Sequence, residues 1–328
     1  MKGRRVFETF TPKRFCREFV AVRGHSLQLS SLMAVVKGLK PCLDDWVPCL
    51  RFDDFRRACR RYGLFCEPDT VFRVVSPRRI SARVIGAENL TTTHAYGQPW
   101  SPGLREGTVH VFVARSRKAL GACWQEGWYP LIIKGRVVEK PLVDSHRFGP
   151  TLGYPDCCCD FFRQRNNWSV YNFLYEVYKN SGPGPYPAVC NPLTRYETYS
   201  YISHMPCSFS CGRTRGLAER IRCAILEEEP AFVRAIDRHL RLPALVFRER
   251  QIYAFEGTLR RDRLDYRRAF FVGHNADDAT HEADLKKGDS LRLEKATVVI
   301  LKKGRLVKKI VWRREPRALG QPFLAAFI

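Results

Sequence analysis

Two short clusters of cysteine carry the chemistry for which this sequence can be read. The first is Gly153-Tyr154-Pro155-Asp156-Cys157-Cys158-Cys159. The second, past a Pro-rich loop holding Cys190, is His204-Met205-Pro206-Cys207-Ser208-Phe209-Ser210-Cys211. Six of the thirteen cysteines lie in this stretch. Thiolates are the soft ligands of zinc and of iron–sulfur clusters, and four of them complete either site. Cys157, Cys158, Cys207 and Cys211 are therefore the candidate metal ligands. Cys190 stands in reserve, and His204 is a neighbouring acid/base group or ligand. The implied cofactor is an iron–sulfur cluster or zinc. The cluster is favoured, because the acidic or histidine ligands of a hydrolytic zinc site are not evident beside the cysteines. A metal-free thiol redox centre and plainly buried cysteines are the alternatives.

The elements that must position these sulfurs are helix starts. Pro155 suits the first residue of a helix running towards Arg165, since its fixed φ fits that turn and no needed N–H is lost. Cys157 and Cys158 then fall in the first turn, where free N–H groups and the helix dipole favour negative charge. Successive helical residues point about 100° apart, so three adjacent cysteines cannot share one centre, and Cys159 is the one left out. In the second cluster, a helix opened by Pro206 puts Cys207 and Cys211 one turn apart on one face. Alternatively Ser208 or Ser210 caps a helix beginning nearer Cys211, with Cys207 on the preceding loop.

Around this centre the fold class reads as α+β. Residues 51–62 have apolar Phe52, Phe55, Cys59 and Tyr62 at helical spacing, closed by Gly63, within a basic helical region over 1–80. Residues 81–242 form the cysteine-rich α+β region. It has strands at 83–85, 108–113 and 129–133, a helix capped by Ser116, and helices over 169–179, from Pro206 or nearer Cys211 to Glu228, and from Pro230 to Leu240. Residues 243–328 read as strands of an antiparallel sheet or small barrel, with Lys303-Gly304 as a tight turn. His274, Asp277, Asp278, His281, Glu282 and Asp284 crowd one segment, which reads as a solvated acidic loop rather than a metal site. No fixed-period repeat is evident.

The 56 Lys and Arg against 33 Asp and Glu leave a net charge of +23. That balance favours a polyanionic partner, possible nucleic acid above all. The charge is spread along the chain, with 17 basic and 8 acidic side chains in residues 1–80 and 19 and 11 in residues 243–328. The apolar runs are strand-sized, which argues against a membrane span. The start lacks the apolar stretch of a secretory signal, and an odd number of cysteines with three adjacent is a poor disulfide framework. The expected location is cytoplasmic. No Gly-rich phosphate loop, Gly-x-Ser-x-Gly or His-Glu-x-x-His occurs, so nucleotide hydrolysis, serine hydrolysis and common metalloprotease chemistry have no support.

Leu152-Gly153-Tyr154-Pro155-x-Cys157-Cys158 followed by His204-x-Pro206-Cys207-x-x-x-Cys211 resembles an uncharacterised family of archaeal and bacterial proteins, catalogued as domain of unknown function 483. The likeness covers roughly residues 108–257. It implies that the paired cysteines act as a unit and brings no reaction with it. Cys159 and the basic N-terminal region lie outside the pattern. The leading expectation is a metal- or iron–sulfur-dependent enzyme of redox or sulfur-transfer type acting on RNA or another anionic substrate. A nucleic-acid-binding protein with structural zinc, and a scaffold whose cysteines are merely buried, are its rivals.

Overall fold

The computed structural model describes residues 14–23, 29–74, 95–126, 132–133, 136–137, 145–165, 173–194, 200–249, 251–273, 278–312 and 320–328. The chain divides into two compact units, one spanning Pro12–Arg163 and one that includes Gln164–Ile328. The division falls inside a single helix, Asp156–Arg165. The expected boundary near residue 80 lies outside the described residues.

The first unit holds α1 (Arg14–Arg23), α2 (Leu29–Val36), β1 (Cys42–Pro48), α3 (Phe52–Arg61), β2 (Phe65–Val74), β3 (Ala95–Pro99), β4 (Thr108–Ala114) and α4 (Arg117–Glu126). The short pair β5 (Ile132–Ile133) and β6 (Arg136–Val137) and the helices α5 (Ser145–Thr151) and α6 (Asp156–Arg165) follow. The region read as helical thus also contributes two strands, β1 and β2. Its paired aspartates, Asp44 and Asp45, obscure the strand alternation of β1. The strand expected at 83–85 lies outside the described residues.

The strands pair antiparallel in the order β1-β4-β2-β3. Cys42 faces Ala114 and Asp44 faces Phe112 across the first pair. That face packs on Leu120 and Cys123 of α4, Phe148 of α5 and Leu152 just after it. Ser116 Oγ accepts from the Ala119 N–H at 3.1 Å, capping α4 as its position suggests. In α3 the predicted stripe is buried at Phe52, Phe55 and Cys59 and half-buried at Tyr62, with Ala58 buried beside it. Gly63, at φ 69°, follows in the left-handed conformation that ends a helix at little cost to glycine.

The second unit continues with α7 (Phe173–Lys179), α8 (Gly212–Glu228), α9 (Pro230–Leu240), β7 (Ala244–Arg248), β8 (Gln251–Arg260), β9 (Arg263–Phe271), α10 (Glu282–Lys287), β10 (Ser290–Glu294), β11 (Thr297–Lys302), β12 (Arg305–Val311) and β13 (Phe323–Ala325). Seven strands form one antiparallel sheet in the order β12-β11-β10-β9-β8-β7-β13, and it does not close into a barrel. Its inner face carries Tyr253, Phe255, Leu264, Leu291, Val298 and Ile300 against Leu285 of α10. The run 291–301 is two strands rather than one, turned at Lys295 with φ 54°. Part of the expected acidic loop is helix α10, where Glu282 pairs with Lys286 and Asp284 with Lys287. His274 and Asp277 lie outside the described residues.

Candidate metal centre

The first sulfur pair is set by the start of α6. Gly153, at φ 74°, turns the chain into Tyr154 and Pro155, and the Pro155 carbonyl accepts from the Cys158 N–H at 2.9 Å and the Cys159 N–H at 3.1 Å. The helix begins one residue past the proline. Cys157 and Cys158 occupy its first turn with their sulfurs 3.9 Å apart. Cys159 points elsewhere and is buried, with its thiol near the Tyr154 carbonyl at 4.0 Å. Gly149 leaves space for it, since a Cβ there would collide with Cys159 Sγ. Burial, with the charges of Asp156 and Asp160, pushes the Cys159 thiol up to about 11.

The second pair is set by the start of α8. Cys211 is itself the cap of this helix, and its sulfur accepts from the Thr214 N–H at 3.5 Å. The helix begins after Cys211 rather than at Pro206, so Cys207 lies on the preceding loop. Neither Ser208 nor Ser210 is the cap residue. Phe209, fully buried between the two cysteines, anchors the loop by packing on Tyr186 at 5.2 Å and Phe327 at 5.5 Å. The Asn180 side-chain amide donates to the Cys207 carbonyl at 2.9 Å, and the Phe209 N–H donates to Ser181 Oγ at 2.8 Å. Both partners come from the turn after α7, whose sequence signals nothing beyond the end of a helix.

The sulfurs of Cys157, Cys158, Cys207 and Cys211 all lie within 4.8 Å of one another. Four cysteines at that separation could hold a metal ion. Cys158 and Cys211 are buried, while Cys157 and Cys207 are half-buried. The first turn of α6 and the start of α8 each carry part of the set, so helix N-termini favour the negative charge that metal-bound thiolates bring.

Cys190 and His204 stand near Cys211 but outside this group. The Cys190 thiol points at the Cys211 carbonyl at 3.9 Å, and burial, with the neighbouring Cys211, pushes it up to about 12. His204 is buried, and its Nε2 lies 2.9 Å from Thr214 Oγ1, which ties the cysteine loop to the first turn of α8. Cys223, further along α8, is exposed.

A second polar constellation, not singled out from the sequence, lies within the first unit. The His110 ring, fully buried, has Nδ1 2.9 Å from Asp69 Oδ2 and Nε2 3.4 Å from Asp44 Oδ2. A bulge in β2 between Pro68 and Val71 accompanies the inward turn of Asp69. Burial opposes charge on this ring, but the two carboxylates outweigh it and raise its pKa to about 9. Nearby, burial lowers Lys40 to about 8 against the pull of Asp44, and Lys40 Nζ lies 4.9 Å from the Tyr154 ring centre. The signal in the sequence is a histidine in an otherwise apolar strand and two aspartates in a strand-length run.

Among the described residues, no helix is long and apolar enough to cross a membrane. Comparison with protein-family models, curated proteins and solved structures finds no match for this chain.

Proposed function

We propose that this is a zinc-binding, nucleic-acid-binding protein in which Cys157, Cys158, Cys207 and Cys211 hold one tetrahedral structural zinc ion. The sulfur spacing carries this reading. A Zn–S bond of about 2.3 Å puts the corners of a regular tetrahedron about 3.8 Å apart. The observed limit of 4.8 Å, with 3.9 Å between Cys157 and Cys158, lies near that value. An iron–sulfur cluster interposes several atoms and spreads its protein sulfurs wider. For this reason zinc replaces the cluster as the favoured occupant. Four protein ligands also close the coordination sphere, as in structural rather than catalytic sites.

In this reading the redox or sulfur-transfer chemistry loses its support, because all four sulfurs are engaged and none remains to react. His204 positions the cysteine loop through Thr214. The cysteine pattern that resembles the uncharacterised family is then a zinc signature. The net charge of +23 supports a polyanionic partner.

Metal and acid-labile sulfide content after anaerobic purification, with an absorption spectrum, tests the metal. One zinc per chain, no sulfide and no visible absorption are expected, with zinc lost in a Cys207→Ser/Cys211→Ser variant. Iron with sulfide would sink the zinc assignment, and no metal in the wild type would sink the site.

A further inference from the structure

The charge that a nucleic acid would meet is not spread evenly over the second unit. Residues 290–312, which form β10, β11 and β12, contain seven Lys and Arg against one acidic residue, Glu294. Arg292 pairs with that glutamate. Exposed Lys302, Lys303, Arg305, Lys308 and Lys309 make no ion pair among the described residues. Elsewhere on this unit carboxylates are interspersed with the cations: Arg248 pairs with Asp278, Arg263 with Asp265 and Arg268 with Glu256, and the exposed Arg260, Arg261 and Arg267 share the β8–β9 hairpin with Glu256, Asp262 and Asp265. In α3, the other basic candidate from the sequence, Arg56, Arg57 and Arg61 are held by Glu67, Asp54 and Glu18.

The hairpin that displays these cations is firmly set. Lys303 and Gly304 take φ of 49° and 78°, and the Lys303 N–H donates to the Asp289 carboxylate at 2.9 Å. β12 is an edge of the sheet, whereas β13 at the other edge is three residues long and buried throughout.

We infer that the β11–β12 hairpin, with its terminal strand β12, is the nucleic-acid contact surface, gripping the phosphate backbone without reading base sequence. This rests on the nucleic-acid reading above and assigns it a place. Four of these five cations are lysines, compact point charges suited to phosphate. They lie on both faces of the hairpin and at its turn, so a strand of phosphates can be followed across it. An acidic peptide adding itself as an eighth strand fits less well, because lysines along an edge obstruct strand addition.

The test uses the full chain with labelled single-stranded RNA, single-stranded DNA and a DNA duplex, titrated at several salt concentrations between about 50 and 200 mM. A Lys302→Gln/Arg305→Gln/Lys308→Gln/Lys309→Gln variant is compared with Arg56→Gln/Arg57→Gln/Arg60→Gln/Arg61→Gln in α3, which removes the same charge. Zinc content and melting temperature confirm that both are folded. The hairpin variant is expected to bind about tenfold more weakly, or worse. Its log–log salt slope should become shallower by about 0.7 to 0.9 for each phosphate that the protein no longer neutralises. The α3 variant should keep most of the wild-type slope.

Equal weakening in the two variants would overturn the assignment to the hairpin while leaving nucleic-acid binding intact. A wild type that binds none of the three probes, or that binds only an acidic peptide such as polyglutamate, would overturn the nucleic-acid reading itself.

Discussion

Nδ1 of His110 and Oδ2 of Asp69 lie 2.9 Å apart beside a bulge in β2, with the imidazole fully buried. A charged histidine in that position is stable only because carboxylates stand at both ring nitrogens. Its folded pKa of about 9 lies above the unfolded value near 6.5. The stability it contributes is therefore complete below about pH 6.5 and is lost as pH rises through about 9. Lys40 acts in the opposite sense between about pH 8 and its unfolded value. The informative quantity is therefore the difference between wild type and Asp69→Asn. That variant should be less stable by about 1–3 kcal/mol at pH 7 and converge on the wild type near pH 10, read from urea midpoints. A difference that does not change with pH would contradict a charged His110.

Gly149 and Cys159 form a steric pair. Gly149→Ala should destabilise the protein by about 1–3 kcal/mol, since the new methyl meets a buried sulfur. Adding Cys159→Ala should recover part of that loss. On the proposed zinc assignment, stoichiometry should stay at one throughout, because Cys159 is not in the four-sulfur group. Loss of zinc in Cys159→Ala alone would count against that division of labour.

Phe209 links the loop between Cys207 and Cys211 to the aromatic cluster of the second unit. Phe209→Ala should cost about 3–5 kcal/mol as a buried aromatic is removed. On the proposed zinc assignment it should also weaken metal retention against a competing chelator, because the loop between Cys207 and Cys211 loses its anchor. Asn180→Ala removes one hydrogen bond to the Cys207 carbonyl and should cost only about 1 kcal/mol. Thermal melts with and without chelator separate the two effects.

Asp237 is held by Arg222, at 3.0 and 2.6 Å, and by the buried Tyr201 hydroxyl at 2.7 Å. Burial works against its charge, yet these partners keep its carboxyl below the ordinary range. The stabilisation is present above the unfolded pKa near 3.9 and disappears as pH falls through the folded value. Asp237→Asn should therefore be less stable than wild type at pH 7 and close to it in strong acid. Tyr201→Phe should cost about 1–2 kcal/mol at pH 7, measured in the same melts.

The amino-acid sequence by itself determined the local elements near the site and the identity of its sulfurs. Pro155, the stripe Phe52, Phe55 and Cys59, the Ser116 cap and Pro230 act over one or two helical turns. Their consequences are accordingly legible from spacing alone. The geometric limit on three adjacent cysteines likewise needs only the helical twist, and Cys159 does turn away.

Long-range effects decided the rest. That Cys157 and Cys158 meet Cys207 and Cys211 depends on chain closure over some fifty residues, which no periodicity encodes. The start of α8 at Cys211 rather than Pro206 reflects Phe209, whose burial beside Tyr186 and Phe327 holds the preceding turn out of the helix. Asp44, Asp69 and His110 come from three strands, and nothing in their spacing relates them until pairing and a bulge bring them together. The segregation of charge is partly tertiary. The excess of Lys and Arg over residues 290–312 is written in the sequence, but that this stretch folds into an exposed hairpin at one edge of the sheet is decided by strand pairing.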